Sequence, residues 1–356
     1  VLRMAPLTSI DFLAMANLGG RPTRVDASAV WSFGTRENGT LITDIRNPPE
    51  STDTRDIIAW HFSPDSGCPY WLDWAKKNFD PRKEVNSFAD LIAKFPHFQD
   101  ESLRDMQPEV WVPAAFKGKP FNIFETGGTT GMPKQRIGWN DFRVDYEEFS
   151  HKLDDKHFPP GESWIMVGPT GPRRLRLAIE HLANYRGGSC YFVDLDPRYV
   201  KKLIVRKKYE EVEQYMKHVI DQAVEIIKHR NISCLFTTPR LLEALAERIS
   251  IPGYGIKGCF CGGTSMTPQM VRFLSEEVLE NKAQFVPTYG NTLMGLACSL
   301  PATLKDKGYS VTYYAPQPRA VLRIVDSKQT DRVMGYGEYG RVELTTLTKE
   351  FFMPRF

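Results

Sequence analysis

The chain has 356 residues, 42% hydrophobic and 25% charged, which is ordinary globular composition and enough to build a large core. Its 46 basic and 43 acidic side chains leave a net charge of +3, too small an excess to argue for a nucleic-acid-binding surface. No apolar run reaches the ~20 residues a membrane span needs, and "VLRMAPLTSIDFLAMANLGG" at the start lacks a continuous hydrophobic segment and a clear cleavage site, so it does not read as a signal peptide.

In chain order, residues 1–66 are rich in turn formers, and "NPPESTD" (47–53) and "SPDSG" (63–67) read as loops. "SFADLIAKF" predicts a helix with Ser87 as its N-cap. "FNIFET" reads as a short strand running into "TGGTTGMPK" (126–134). "SWIMVGP" (163–169) predicts a buried strand, "LRLAIEHLANYRGG" a helix closed by glycine, and "SCYFVDLD" another strand. The nearby "RRLR" (173–176) reads as a solvated helix face. The clearest helix covers 209–230, where Val212, Tyr215, Met216, Val219, Ala223, Ile226 and Ile227 recur at three- and four-residue steps. Strand "ISCLFTT", helix "PRLLEALAERI" with Pro239 in its first turn, strand "KGCFCGG", helix "TPQMVRFLSEEVLE" and strand "AQFVPTYG" follow. Such alternation predicts an α/β fold with a largely parallel sheet. After about 300 the pattern alternates without a helix, which predicts a small β lobe.

The six cysteines, Cys68, Cys190, Cys234, Cys259, Cys261 and Cys298, show no CxxC spacing and read as reduced core thiols, in keeping with a cytoplasmic protein. Cys259 and Cys261 share one strand face, but no second pair follows at zinc-site spacing.

The glycine-rich stretch bears chemistry. Gly127, Gly128 and Gly131 at a strand's end let backbone N–H groups turn toward an anion, Thr126, Thr129 and Thr130 add hydroxyls, and Lys134 adds a mobile charge. It is not a Walker A loop, because no glycine precedes the lysine and Gln135 follows it. On composition alone, a phosphate cradle and a plain flexible loop stand level.

"TGGTTGMPK" matches at every position the phosphate-loop pattern of the adenylate-forming enzymes. In the same order, "CGGTSMTPQM" resembles that family's adenine-pocket segment and "PTYGNT" its YGxT segment. "GEYGRVELTTLTKEFFMPRF" resembles a stretch of the phenylacetate–CoA ligase branch. Upstream, "CPYWLDWAKKNFDPRKEVNSFADLIAKFPHFQDESLRD" and "LRLAIEHLANYRGGSCYFVD" are similar to segments of the same branch. The resemblance covers roughly residues 67–356.

The resemblance implies the large N-terminal adenylation domain: layered α/β subdomains with mainly parallel sheets and a small β-barrel-like lobe, without the C-terminal lid. Residues 1–115 would form the lead and its helices, 116–300 the nucleotide-binding core and 301–356 the β lobe. It implies ATP-dependent activation of a carboxylic acid, often aromatic, to an acyl adenylate, then transfer to coenzyme A, a carrier protein or an amine. ATP, Mg²⁺ and coenzyme A are the implied small molecules, and neither nucleic acid nor membrane is an implied partner.

Residue by residue, the resemblance places Thr126, Gly127, Gly128, Thr129, Thr130, Gly131 and Lys134 on the ATP phosphates. It places Gly262, Gly263, Thr264, Tyr289, Gly290 and Asn291 around adenine and His181 near the acyl substrate. Gly168, Pro169 and Gly295, in the small, apolar stretches "WIMVGPTGP" (164–172) and "GNTLMGL" (290–296), are candidates for the acyl-pocket walls. Thr292, Lys134 and His181 are the implied catalytic residues. Where the family has a metal-binding Glu, this chain has Leu293, which cannot ligate a hard cation; a non-catalytic nucleotide-binding homologue is therefore a second expectation.

Overall fold

A computed structural model describes residues 23–26, 32–35, 39–42 and 51–356, apart from 129, 130, 265, 336 and 337. Three short strands come first: β1 (Thr23–Asp26), β2 (Ser32–Thr35) and β3 (Gly39–Ile42). Helix α1 (Ser51–Phe62) follows, then α2 (Pro69–Lys77) and α3 (Phe88–Lys94). Ser87 caps α3 as expected, its Oγ accepting the Asp90 N–H at 3.1 Å. The sequence reading left α1 out and placed a loop over its first turn. Its apolar positions Ile58 and Phe62 pack with Trp71, Phe95 and Phe352 in a dense aromatic cluster, so tertiary packing overrides the turn-forming start.

β4 (Asn122–Glu125) and β5 (Gln135–Gly138) form a separate antiparallel hairpin, and the glycine-rich stretch is its connecting loop. After α4 (Asp141–Ser150) comes the α/β alternation: β6 (Ser163–Gly168), α5 (Arg174–Tyr185), β7 (Cys190–Asp194), α6 (Pro197–Val205), α7 (Tyr209–His229), β8 (Ile232–Thr237), α8 (Pro239–Ala246), β9 (Gly258–Cys261), α9 (Pro268–Phe273) and β10 (Gln284–Asn291). The helix expected after β9 is shorter than its sequence pattern, giving way to a π turn at Leu274–Val278. The last strands are β11 (Gly295–Cys298), β12 (Thr312–Tyr314), β13 (Ala320–Val325), β14 (Tyr339–Leu347) and β15 (Phe352–Met353).

Strands β10, β9, β8, β6 and β7 lie side by side in that order, all parallel. Successive residues point to opposite faces. Ile165, Val167, Leu235, Cys259 and Cys261 therefore enter one core, with α7 and α8. Trp164, Met166, Cys234, Phe236 and Phe260 enter another, with α4 and α5. A sheet covered on both faces explains why these strands read as unbroken apolar runs. β11 and β12 extend the sheet beyond β10, and the path continues through β3, β2 and β1 to β14 and β13.

Two readings need correction. Arg174, expected on a solvated face, is buried beside Asp145, with Nη2 2.8 Å from Oδ2. The ion pair is what lets that guanidinium leave water. Cys190, expected in the core, is only half-buried on the edge strand β7. The other five cysteines are buried and all six are free. Cys259 and Cys261 do share a strand face, their Sγ atoms 3.9 Å apart.

Candidate active site

In an open parallel sheet, ligands bind beyond the carboxyl ends of the strands. Several of the expected site residues lie at that edge. Gly168 ends β6, Gly262 and Gly263 follow β9, and Tyr289 lies two residues beyond Pro287, which pairs with Cys261. The β9 and β10 ends are tied by Thr288, whose Oγ1 donates to the Cys261 carbonyl at 2.8 Å. A Cβ on Gly262 would lie 2.9 Å from that hydroxyl. Thr264 is half-buried next to Gly263. Tyr289 is half-buried against Tyr313, ring centroids 5.8 Å apart, and burial raises its phenol's pKa.

The glycine hairpin meets this edge through Glu125, a residue the sequence reading passed over. Its N–H donates to the Pro172 carbonyl at 3.4 Å, and its own carbonyl accepts the Thr292 hydroxyl at 3.0 Å. Its carboxylate accepts from Arg198 Nη2 at 3.0 Å. One residue at the loop's base thus joins the loop after β6, the turn after β10 and the start of α6. The loop itself is closed by Thr126. Its N–H donates to the Lys134 carbonyl, and its Oγ1 accepts the Lys134 N–H, both at 3.0 Å. Gly128 holds φ +65° and Gly131 φ +142°, backbone states that a side chain would oppose. Thr129 and Thr130 lie outside the described residues.

Lys134 is engaged by the segment that precedes the hairpin. Its Nζ sits 2.6 Å from Asp100 Oδ2 and 4.4 Å from the Phe356 ring centroid. Burial works to raise the Asp100 pKa, but the hydrogen bond and charge of Lys134, with Arg104, outweigh it and leave it lowered. Here Lys134 staples the hairpin to the segment before it; reaching a phosphate would require it to exchange Asp100 for that ligand.

The turn between β10 and β11 is fixed from two sides. Asn291 Oδ1 accepts the N–H groups of Leu293 and Met294 at 2.9 and 2.8 Å. From below, fully buried Arg136 donates Nη1 to the Leu293 carbonyl and holds Asp141 through Nη2 at 2.8 Å. Burial, reinforced by the charge of Arg174, depresses the Arg136 pKa to about 10 against the opposing pull of Asp141. Asp141 also accepts the Thr348 hydroxyl at 2.6 Å. Beside it, Glu350 accepts the N–H groups of Trp139 and Asn140, each at 2.6 Å, and closes the start of α4. Arg136 was legible only as the second residue after the loop; nothing in its spacing marked it as the link to Leu293.

The Leu293 side chain is buried, 3% exposed, in the apolar core. Position 293 therefore does not fit the magnesium ligand that the resemblance implies there. Among the described residues, no group of three or more His, Cys, Asp or Glu side chains could hold a metal ion.

The acyl-pocket candidates divide. Gly168 and Pro169 lie at the open sheet edge, next to Thr170, whose N–H and hydroxyl bind Asp194 Oδ1 at 2.9 and 2.6 Å. Gly295 instead packs on an ion cluster: a Cβ there would come within 2.1 Å of Asp145 Oδ2. Asp145 is shared by Arg174 and Arg319, and Arg319 also binds Glu148. His181 lies in the seam between α4 and α5, Nε2 2.7 Å from Glu147 Oε1, two turns along α5 from Arg174.

No family model matches the chain. No curated protein matches it either. Solved structures do. A 2-hydroxyisobutyryl-CoA ligase in an open conformation, in complex with 2-HIB-AMP and CoA, aligns with TM-score 0.57 at 16% identity, covering 92% of this chain and 72% of that one. The chain has this ligase's fold. The same ligase in its thioesterification state, again with 2-HIB-AMP and CoA, aligns with TM-score 0.56 at 16% identity, over 92% of this chain and 65% of the other. In its postadenylation state with 2-HIB-AMP it aligns with TM-score 0.55 at 15% identity, with the same coverage. The α/β architecture expected from the resemblance to adenylate-forming enzymes is thus the architecture found. No helix among the described residues is long and apolar enough to cross a membrane.

Proposed function

We propose that this chain activates a carboxylic acid with ATP, forming an acyl adenylate and releasing pyrophosphate, and passes the acyl group to coenzyme A. The observation that carries the reading is the junction at Glu125, which sets the glycine loop against Thr292 and the loop after β6 at the carboxyl edge of the sheet. That junction occurs in a fold shared with a ligase whose complexes hold an acyl adenylate and CoA.

The chemistry needs such an arrangement. A carboxylate oxygen attacks the α-phosphorus of ATP, a P–O bond to the β-phosphate breaks, and pyrophosphate leaves with the bond's electron pair. Both reactants are anionic, so the site must hold them in line and neutralise charge. Backbone N–H groups of the loop around Gly127, Gly128 and Gly131 would meet the departing phosphates, as would Thr129 and Thr130. Thr292 would donate to the α-phosphate in place of the Glu125 carbonyl. Tyr289 and the backbone of Gly262, Gly263, Thr264, Gly290 and Asn291 would flank adenine, and Gly168 and Pro169 would border the acid. Attack of the CoA thiol on the acyl carbon then expels AMP. The resemblance to the phenylacetate–CoA ligase branch favours an aromatic acid, with CoA preferred to a carrier protein or amine as acceptor, and the free cysteines suit a cytoplasmic setting.

Acid-dependent ATP–pyrophosphate exchange, with a panel of aromatic and aliphatic acids, tests the reading. Exchange with aromatic acids is expected. The buried Leu293 favours one second reading, a nucleotide-binding homologue that has lost the reaction. ATP binding with no exchange from any acid would support it and reject the first.

A further inference from the structure

Between the glycine loop and α6 lies a cavity of about 350 Å³. Gly127, Gly128, Gly131 and Pro133 line one side, and Arg198, Lys202 and Arg206 line the other, with Lys201 and Val205 between them. The spacing is a helical face: positions 198, 201, 202 and 205 fall at steps of three and four. The opposite face of the same helix buries Val200 and Leu203. Asp196 starts the helix, accepting the N–H groups of Arg198 and Tyr199 at 2.8 and 3.2 Å. The bond from Arg198 to Glu125 sets the basic face against the loop.

We propose that the basic face of α6 is the second wall of an anion subsite, and that it takes the polyphosphate tail of a nucleotide. The proposal rests on the adenylation reading of the loop and extends it to residues that reading does not use. Arg198, Lys202 and Arg206 face a loop whose glycines can present N–H donors, and Glu125 bonds to Arg198 alone of these three. A tail of linked phosphates fits that excess of positive charge, whereas a single carboxylate would leave most of it uncompensated. The cavity is at the small end of ligand pockets, suited to a phosphate chain and not to a base as well. AMP, which lacks the tail, should not register α6.

The test uses ATP, AMP, pyrophosphate and CoA, titrated calorimetrically into the chain and into Lys202→Glu/Arg206→Glu. Lys202 on the helix and Arg206 at its end are both exposed, so the variant should melt with the wild type. ATP and pyrophosphate affinity should fall by about tenfold or more, with AMP unchanged and the loss shrinking at high salt. The Lys202→Arg/Arg206→Lys variant should bind as the wild type does. Should the reversed variant misfold, Lys202→Gln/Arg206→Gln reads the same contrast with a smaller fall. Equal ATP affinity in wild type and variant would overturn the proposal and leave the adenylation reading standing. A fall confined to CoA would overturn it too, assigning the wall to the diphosphate of that ligand. A wild-type chain binding neither ATP nor AMP would overturn the adenylation reading itself, and this proposal with it.

Discussion

The glycine hairpin is held by two seams of opposite character. Beneath it, buried Arg136, Thr348 and Glu350 join half-buried Asp141 in a network that reaches the Leu293 carbonyl. Beside it, Glu125 and Arg198 meet in solvent, 35% and 44% exposed. Charge in the dry seam is expensive to strand, so each group there is fixed by its neighbours. Charge in the wet seam is screened and exchangeable. On the proposed function, a site that must position a reacting centre yet release a charged product gains from having both: rigidity under the proposed α-phosphate position and loosely held cations around the proposed tail subsite.

The dry seam should break hardest. Arg136→Met removes the guanidinium that joins β5 to the turn at 292–294 and leaves the Leu293 carbonyl and Asp141 short of a donor. The expected loss is about 3–5 kcal/mol, read from urea unfolding. A loss under ~1 kcal/mol would show that the network does not bear on the hairpin. Gly295→Ala comes next. The residue holds φ +109°, and its new methyl would meet the Asp145–Arg174 pair. Strain and displaced charge together should cost about 3 kcal/mol; a neutral result would mean that the pair shifts freely.

His61 extends the dry seam and gives it a pH signature. Its Nε2–H donates to the Thr348 carbonyl at 2.7 Å, and burial lowers its pKa from 6.5 to about 4. Between those values the unfolded chain binds more protons than the folded one. The contribution of His61 is therefore complete above pH 6.5 and is lost as the pH falls through about 4, a change of up to about 3 kcal/mol. Urea midpoints should fall more steeply over that window in the wild type than in His61→Phe. Parallel slopes would remove His61 as the source.

The same contrast explains what was legible in the sequence. Alternation of apolar strands with amphipathic helices specifies the parallel sheet, because each core-facing residue is local in its period. A glycine-rich loop after a strand is likewise local. The junctions are not. Glu125 meets residues 172, 198 and 292, and Arg136 meets 293, across separations that no periodicity encodes. Helix α1 escaped because its start is built of turn formers and its burial comes from its packing with α2, α3 and, far away in the chain, β15. Lys134 was placed on the phosphates by pattern; that it rests on Asp100 follows from how the segment around 100 packs.

The wet seam gives the smallest expected effect on stability and the sharpest test of the division. An exposed ion pair such as Glu125–Arg198 is worth about 0–1 kcal/mol, because solvent screens it and two long side chains must be ordered to form it. Arg198→Gln should therefore unfold within about 1 kcal/mol of the wild type. It should nevertheless weaken ATP binding several-fold at low salt, an effect that fades as ionic strength rises, because the lost charge faces the cavity beside the glycine loop. If instead Arg198→Gln destabilised the fold as much as Arg136→Met, the side contact would be as structural as the base, and the separation of a rigid floor from an exchangeable wall would fail.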